Sequence, residues 1–426
     1  MTRANFITLH RYAGLLIAFF LILTGATGAL LAFYDELDAS LNPNLHYVDK
    51  LNDSLSFGAL VNQVETRMLS NKAKIQSISF PKTDRRSVEI RVVPAPGATA
   101  ALNFNRIFVD PYTGAVLGSR QWGAWRFDRA HLMPLVYKLH YSLTLPGPWG
   151  TWLLGGAALI WFFDCFTGIY LTLPRRRNRF LKKWQRAWSI KWWSSTARII
   201  HDSHLALSLW LWGMLLVMAL SGVMFNLNGE IYRPVVTTVM PYERVRDTLP
   251  DAAEKVRDIG FPQALLNLNE ELEIWQKEAD FTVQRKDALS YDAAKHAYRL
   301  RVHSSLDLPE SYSQTRLYIS ANDGRLLARE HAYHDAGNAV TTWLAALHMA
   351  KVFGLWYRIF VSVLAICITI ITISGVLIWW RKFRLRTSNV LDAGTASIAR
   401  LPASLNTKFI FFDQVSLFHQ IGINLV

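Results

Sequence analysis

The chain has 426 residues, 51% of them hydrophobic, with 46 Lys plus Arg against 32 Asp plus Glu and a formal net charge of +14. That charge alone would admit a nucleic-acid partner, but the runs 12–34, 203–229 and 359–380 hold no Asp, Glu, Lys or Arg, and the run 149–173 holds only Asp164. Each run exceeds or matches the roughly 20 helical residues that cross a hydrocarbon core, which excludes a soluble nucleic-acid binder and makes the lipid bilayer the first partner. Cys165 and Cys367 both fall inside these runs, so there is no disulfide framework and no zinc spacing.

The first span occupies residues 1–33, with its helix from about Phe6 to Phe33 and His10-Arg11 near its start. Its apolar run is longer than a typical signal-peptide core of about 7–15 residues and reads as an uncleaved anchor. Residues 34–148 are too many for a loop and predict a folded outer α+β domain. Within it Phe57–Leu69 patterns as a helix and Ser87–Val93 alternates as a strand. Arg106–Leu117 reads as strand, turn, strand, turning on Asp110-Pro111-Tyr112-Thr113-Gly114.

The second span is 149–173, and a connector, 174–200, follows with nine basic residues and no acidic one. The third span, 201–226, opens on His201-Asp202-Ser203-His204. Residues 227–350 echo the first outer segment: a helix over Phe261–Trp275, an alternating strand over Ala297–His303, and strand, turn, strand over Arg316–Leu327, turning on Asn322-Asp323-Gly324. The fourth span is 351–380, with its helix from about Leu355, and a tail, 381–426, begins with Arg381, Lys382, Arg384 and Arg386. The positive-inside rule places the connector, the tail and both termini on the cytoplasmic face. The expected architecture is a membrane α-helical protein: a four-helix transmembrane bundle with two periplasmic α+β domains, internally duplicated.

Histidine is rare in membrane segments, and polar groups there mark function. His10 and His204 begin spans one and three on the cytoplasmic side, and His140 and His348 precede spans two and four on the outer side. Two histidines per face, on different helices, suit a bis-imidazole haem near each face, with the four as axial ligands to haem iron. No segment gathers the three or four ligands of a zinc site. His201 shares a helix face with His204 and is a second ligand or a neighbour of one. Arg11 and Arg198 could pair with haem propionates or snorkel to lipid phosphate. Asp164 is costly in mid-span unless paired or near water, and would relay protons or stay protonated. His140 lies 28 positions before Gly168 and His348 lies 27 before Gly375, while His10–Gly25 and His204–Gly222 match more loosely.

These motifs together resemble the PepSY-associated transmembrane proteins of bacterial inner membranes. The resemblance is carried by His10-Arg11 with Thr24-Gly25, Phe108-Val-Asp-Pro-Tyr-Thr-Gly114, Leu139-His140 with Gly147-Pro148-Trp149-Gly150, Asp202-Ser203-His204 with Ser221-Gly222, and Leu347-His348 with Thr372-Ile-Ser-Gly375. It implies two outward PepSY-like domains on a four-helix core and two b-type haems, with His10, His140, His204 and His348 matching the family's histidines. Members include iron-regulated membrane proteins and ferric-siderophore reductases. The expected function is therefore an inner-membrane di-haem b protein that moves electrons across the membrane to reduce a periplasmic ferric chelate, such as a ferric siderophore. No nicotinamide or flavin fingerprint is present, so the electron donor would be a separate partner. The alternatives are a non-redox membrane-anchored binding module and an iron-chelate transporter component.

Overall fold

The computed structural model describes residues 2–51, 53–69, 72–97, 102–176, 178–252 and 257–398; the tail beyond 398 lies outside them. Four helices are long and apolar enough to cross a membrane: Arg3–Leu31, Trp149–Thr172, Thr196–Asn226 and Gly354–Leu385. The last continues as one helix to Ile398. The third begins at Thr196, five residues before the span expected from the sequence, so Arg198 is helical as well as His201.

The helices form a ring. The first packs on the second and fourth, and the third packs on the second and fourth, which leaves the first and third diagonal to each other. Side chains such as Ile17, Leu215, Leu364 and Ile368 fill the interior. Apolar residues such as Leu16 and Phe19 instead stay exposed on the outside of the bundle, where hydrocarbon is the solvent and carries no hydration cost. Close approach of the first and fourth helices depends on Gly25, where a Cβ would lie 2.4 Å from Thr369 Oγ1 and 2.9 Å from Ala365 O.

At one end of the bundle sits an antiparallel sheet of eight strands. The first extramembrane segment supplies β1 (Ala73–Ser79), β2 (Val88–Pro94), β3 (Arg106–Val109) and β4 (Val116–Arg120). The second supplies β5 (Val283–Asp292), β6 (Ala297–Ser304), β7 (Thr315–Ser320) and β8 (Leu326–Glu330). Their order is β4-β3-β2-β1-β5-β6-β7-β8. The two segments thus share one sheet, joined where Ile78 of β1 pairs with Leu289 of β5. Joining the β1 edge to the β5 edge satisfies backbone groups that two separate sheets would leave open.

One face of this sheet is covered by the helices Phe57–Val64 and Gly260–Ala279, and a single core runs through both segments, from Leu60 and Ile90 to Leu268 and Leu300. The two tight turns are built alike. Asp110 Oδ1 accepts from Tyr112 N at 2.8 Å and Ser320 Oγ accepts from Asn322 N at 3.2 Å. Gly114 and Gly324 close them at φ +70° and +77°, where a side chain would be strained.

Between the sheet and the bundle lie two short helices, Arg129–Ser142 and Ala336–His348, each feeding a membrane helix through a tight reversal. Leu143 (φ 53°) and Thr144 (φ 57°) make the first reversal, and Ala350, Phe353 and Gly354 the second. Gly150 allows the first: a Cβ there would lie 1.7 Å from Ser142 O. The first short helix is also tied to the sheet. Arg120, at the end of β4, donates to Ala130 O at 3.1 Å and makes a bidentate pair with buried Asp38 at 2.9 and 2.8 Å.

Candidate functional site: two imidazole pairs in the bundle

The structure brings the four singled-out histidines together in two pairs. His10, on the first membrane helix, faces His204, on the third, with ring centroids 6.3 Å apart and planes crossed at 62°. His140 and His348 face each other at 6.3 Å and 68°. The latter two do not stand at the mouths of membrane helices; they lie in the last turns of the two short helices. His140 sits against Thr27 of the first membrane helix and His348 against Ser221 of the third. Thr27 lies 17 residues after His10, and Ser221 17 after His204. At about 1.5 Å per residue the pairs are ~25 Å apart along the bundle, most of a ~30 Å hydrocarbon core.

The hydrogen bonds fix the tautomer of each ring. His204 Nδ1 lies 2.9 Å from Ile371 O, which can only accept, and 3.1 Å from Ser374 Oγ. Ser221 Oγ donates to Val217 O at 2.7 Å, so its lone pair faces His348 Nδ1 at 2.7 Å. Thr27 Oγ1 donates to Leu23 O at 2.7 Å and likewise accepts from His140 Nδ1 at 3.0 Å. His10 Nδ1 donates to Asp164 Oδ1 at 2.9 Å, and Thr167 Oγ1 donates to the same oxygen at 2.6 Å. Each ring therefore carries its proton on Nδ1. Among the described residues, no hydrogen bond reaches Nε2 of any of the four. A neutral imidazole with Nδ1–H engaged and a free Nε2 lone pair is the form that binds a metal ion.

One small motif supports all four rings. Thr27-Gly28, Thr167-Gly168, Ser221-Gly222 and Ser374-Gly375 place one hydroxyl–glycine dipeptide on each membrane helix. The hydroxyl holds Nδ1, directly in three cases and through Asp164 in the fourth. At two of the four the glycine makes room for the ring: a Cβ at Gly28 would lie 3.1 Å from His140 Cε1 and at Gly375 3.1 Å from His204 Cε1. At Gly168 it would be in ordinary contact with His10 Cε1 at 3.7 Å, and at Gly222 it would meet Ala158 Cβ at 3.0 Å instead. Gly168 and Gly375 thus serve the pair at the far end of the bundle from the histidines they follow in sequence. The loose match of Gly25 to Gly222 also resolves: Gly28, not Gly25, occupies the equivalent place, and the Thr24 hydroxyl bonds back to Phe20 O.

A cavity of about 380 Å³ surrounds the first pair. Arg11, Gly14, Asp164, His201 and Lys382 line it together with His10 and His204. No added Cβ at Gly14 would meet anything within 4 Å, so that side of the cavity is open. His201 reaches it but leans on Asp202, 3.5 Å from its Nδ1. Arg198 does not line it and instead pairs with Asp202 at 2.8 Å. Asp164 is buried and held as the partner of His10. Sequence reasoning found the four histidines but gave no role to Thr27, Ser221 and Ser374, although Ser221 and Ser374 stand in its motifs. The equal interval from His10 to Thr27-Gly28 and from His204 to Ser221-Gly222 is the signal that would have found the first two.

A family model described as the PepSY-associated TM region matches residues 7–382. The chain belongs to that family. Its members are membrane proteins by description, in accord with the four spans here, and this PepSY-associated chain is a multi-pass membrane protein. All four histidines and all four hydroxyl–glycine dipeptides fall inside the matched region. No curated protein matches the chain.

Proposed function

We propose that this protein holds two haems b, one between His10 and His204 and one between His140 and His348, and moves electrons across a bacterial inner membrane to reduce a ferric chelate on the sheet side. The observation that carries this is the centroid separation of 6.3 Å in both pairs, with Nδ1 engaged and Nε2 free. Two metal–nitrogen bonds of about 2 Å plus the half-width of a ring on each side amount to roughly 6 Å. Neither pair belongs to a cluster of three or more ligand groups among the described residues, so each pair suits a metal whose other positions a planar macrocycle fills.

Haem, when bound, supplies one-electron chemistry. The residues of this chain do the rest. The hydroxyl–glycine motif holds each ring at a fixed tautomer and angle. Asp164 adds negative charge beside the first pair only. Arg11 and Lys382 offer cations to acidic groups of whatever occupies the cavity. The apolar side chains between the pairs keep water out of the span. The basic connector of residues 174–200 favours a cytoplasmic position for the His10–His204 end, where a separate donor would deliver electrons. Ferrous iron binds hard oxygen chelators less well than ferric iron, so reduction would release it.

The test is reduction of the purified protein with dithionite followed by mixing with ferric chelates. Reoxidation of a b-type spectrum by at least one chelate supports the reading. A protein that is colourless from haem-replete cells, or one that no ferric chelate reoxidises, overturns it.

A further inference from the structure

Beside the His140–His348 pair lies a cavity of about 450 Å³. Met224 and Phe225, at the end of the third membrane helix, form part of its lining, as does Ala345, three residues before His348. The Phe225 ring lies 5.2 Å from the His348 ring, so one aromatic side chain connects cavity and pair. The remaining walls come from the second extramembrane segment and are basic: Arg244, Arg246, Arg299 and Arg316 stand against Glu243 and Glu330. Arg316 is satisfied by Glu330 at 3.0 Å, and Arg246 donates to Asp292. Arg299 Nε reaches only a neutral partner, Ser290 Oγ at 3.2 Å. Among the described residues no carboxylate pairs with Arg244 or Arg299.

The other half of the sheet shows how the same framework can match its charges. Counting from the equivalent turn glycines, Arg106 corresponds to Arg316 and Arg120 to Glu330. There Arg106 is matched by Glu89 at 2.7 Å, and Arg120 is closed onto Asp38 with His46 beside it. In that half the charges are matched, whereas the cavity of the other half holds two guanidinium groups with no carboxylate partner among the described residues. Unmatched guanidinium groups in a partly enclosed site favour planar oxyanions, which they bind bidentately.

We propose that this cavity binds a polyanionic oxygen-donor ligand, a carboxylate chelate of ferric iron being the class that suits it. Anion binding follows from the arginines alone; the choice of a ferric chelate rests on the reading of the adjacent histidine pair as a redox centre. A neutral or cationic chelate lacks the carboxylates that Arg244 and Arg299 would meet.

The experiment is calorimetric titration of the full chain in detergent micelles with ferric citrate, and in parallel with a cationic ferric trihydroxamate. Ferric citrate is expected to bind. The double variant Arg244→Glu/Arg299→Glu should weaken it at least about tenfold, since charge-assisted hydrogen bonds are lost and repulsion is added. Arg244→Lys/Arg299→Lys keeps the charge but loses the bidentate fork, and should bind more weakly than the parent yet more tightly than the charge-reversal variant, which separates charge from misfolding. Equal affinity for the cationic chelate, or a change under about twofold in the charge-reversal variant, overturns the proposal. The readout does not need haem. Arginine-dependent binding by a colourless protein overturns the reductase reading and leaves the cavity standing; a haem-loaded protein without arginine-dependent binding does the reverse.

Discussion

The two halves of the repeat hold their histidines with the same parts and differ in where they place charge. His10 and His204 are equivalent, yet His10 leans on the carboxylate of Asp164 and His204 on the carbonyl of Ile371. Both partners lie four residues before the glycine of the dipeptide, Gly168 or Gly375. At the sheet end, Asp38 and Tyr232 both lie eleven residues after the supporting hydroxyl, Thr27 or Ser221. Asp38 makes a buried ion pair, while Tyr232 makes a neutral bond to Thr341 at 3.0 Å. The duplication supplies ligand geometry in both halves. Asp164, a buried carboxylate bonded to one imidazole of the His10–His204 pair, has its counterpart in the carbonyl of Ile371 and would distinguish the two centres, because a negative charge beside one imidazole raises its basicity and favours the more positive state of a bound metal.

The largest expected effect is at Asp38. Asp38→Ala leaves Arg120 buried without its counterion and should cost about 3–5 kcal/mol. Tyr232→Phe in the other half should cost only about 1 kcal/mol, and thermal unfolding in detergent measures both. The pair also predicts a pH dependence. Burial alone would raise the Asp38 carboxyl, but hydrogen bonds from His46 and Arg120 outweigh it and hold it at about 2. Its folded value is below its unfolded value, so its stabilisation of roughly 2 kcal/mol is complete above about pH 4 and is lost as pH falls through about 2. Asp38→Asn should flatten the change in melting temperature across that window. An unchanged slope would remove the ion pair from the account of the first half.

The next effect is at Asp164. Asp164→Asn keeps a hydrogen-bond acceptor and removes the charge. It should raise the midpoint potential of the His10–His204 centre by on the order of 60 mV, the one-electron equivalent of a tenfold change, and leave the other centre in place. A redox titration followed by absorbance reads both centres in one sample. Equal shifts in the two, or none, would show that the carboxylate does not distinguish them. The smallest effect is at Arg198, half-exposed and paired to Asp202 four residues on. Arg198→Ala should change stability by less than about 1 kcal/mol and leave the spectrum of the His10–His204 centre unaltered; a lost or shifted band would return Arg198 to the site.

What could be read from the sequence follows from which forces act locally. The four spans were legible because lipid demands continuous apolarity over a whole helix. The turns at Gly114 and Gly324 were legible because only particular residues fit them. β1 and β5 were not: Lys74, Gln76 and Ser77, and Gln284, Arg285, Lys286 and Asp287, give them no clear alternation, and both pair across the join between the two segments. The helix over Arg129–Ser142 was hidden by Pro134 and by its polar first turn. The histidines were visible as rare residues in apolar surroundings. Their supports were not, since Thr27, Ser221 and Ser374 also bond to their own helix backbones, as hydroxyls in apolar helices ordinarily do. Asp164 stood out as a cost, and its partner, 154 positions away, became evident only in three dimensions.

The central claim is that each histidine pair holds one haem. The measurement that tests it most directly is haem content per chain, by pyridine haemochrome against protein concentration, for the parent, His10→Ala and His348→Ala. The account predicts two haems in the parent and one in each variant, with the remaining band differing between the two variants. Haem content that does not change with either substitution, or no haem in the parent, would contradict it.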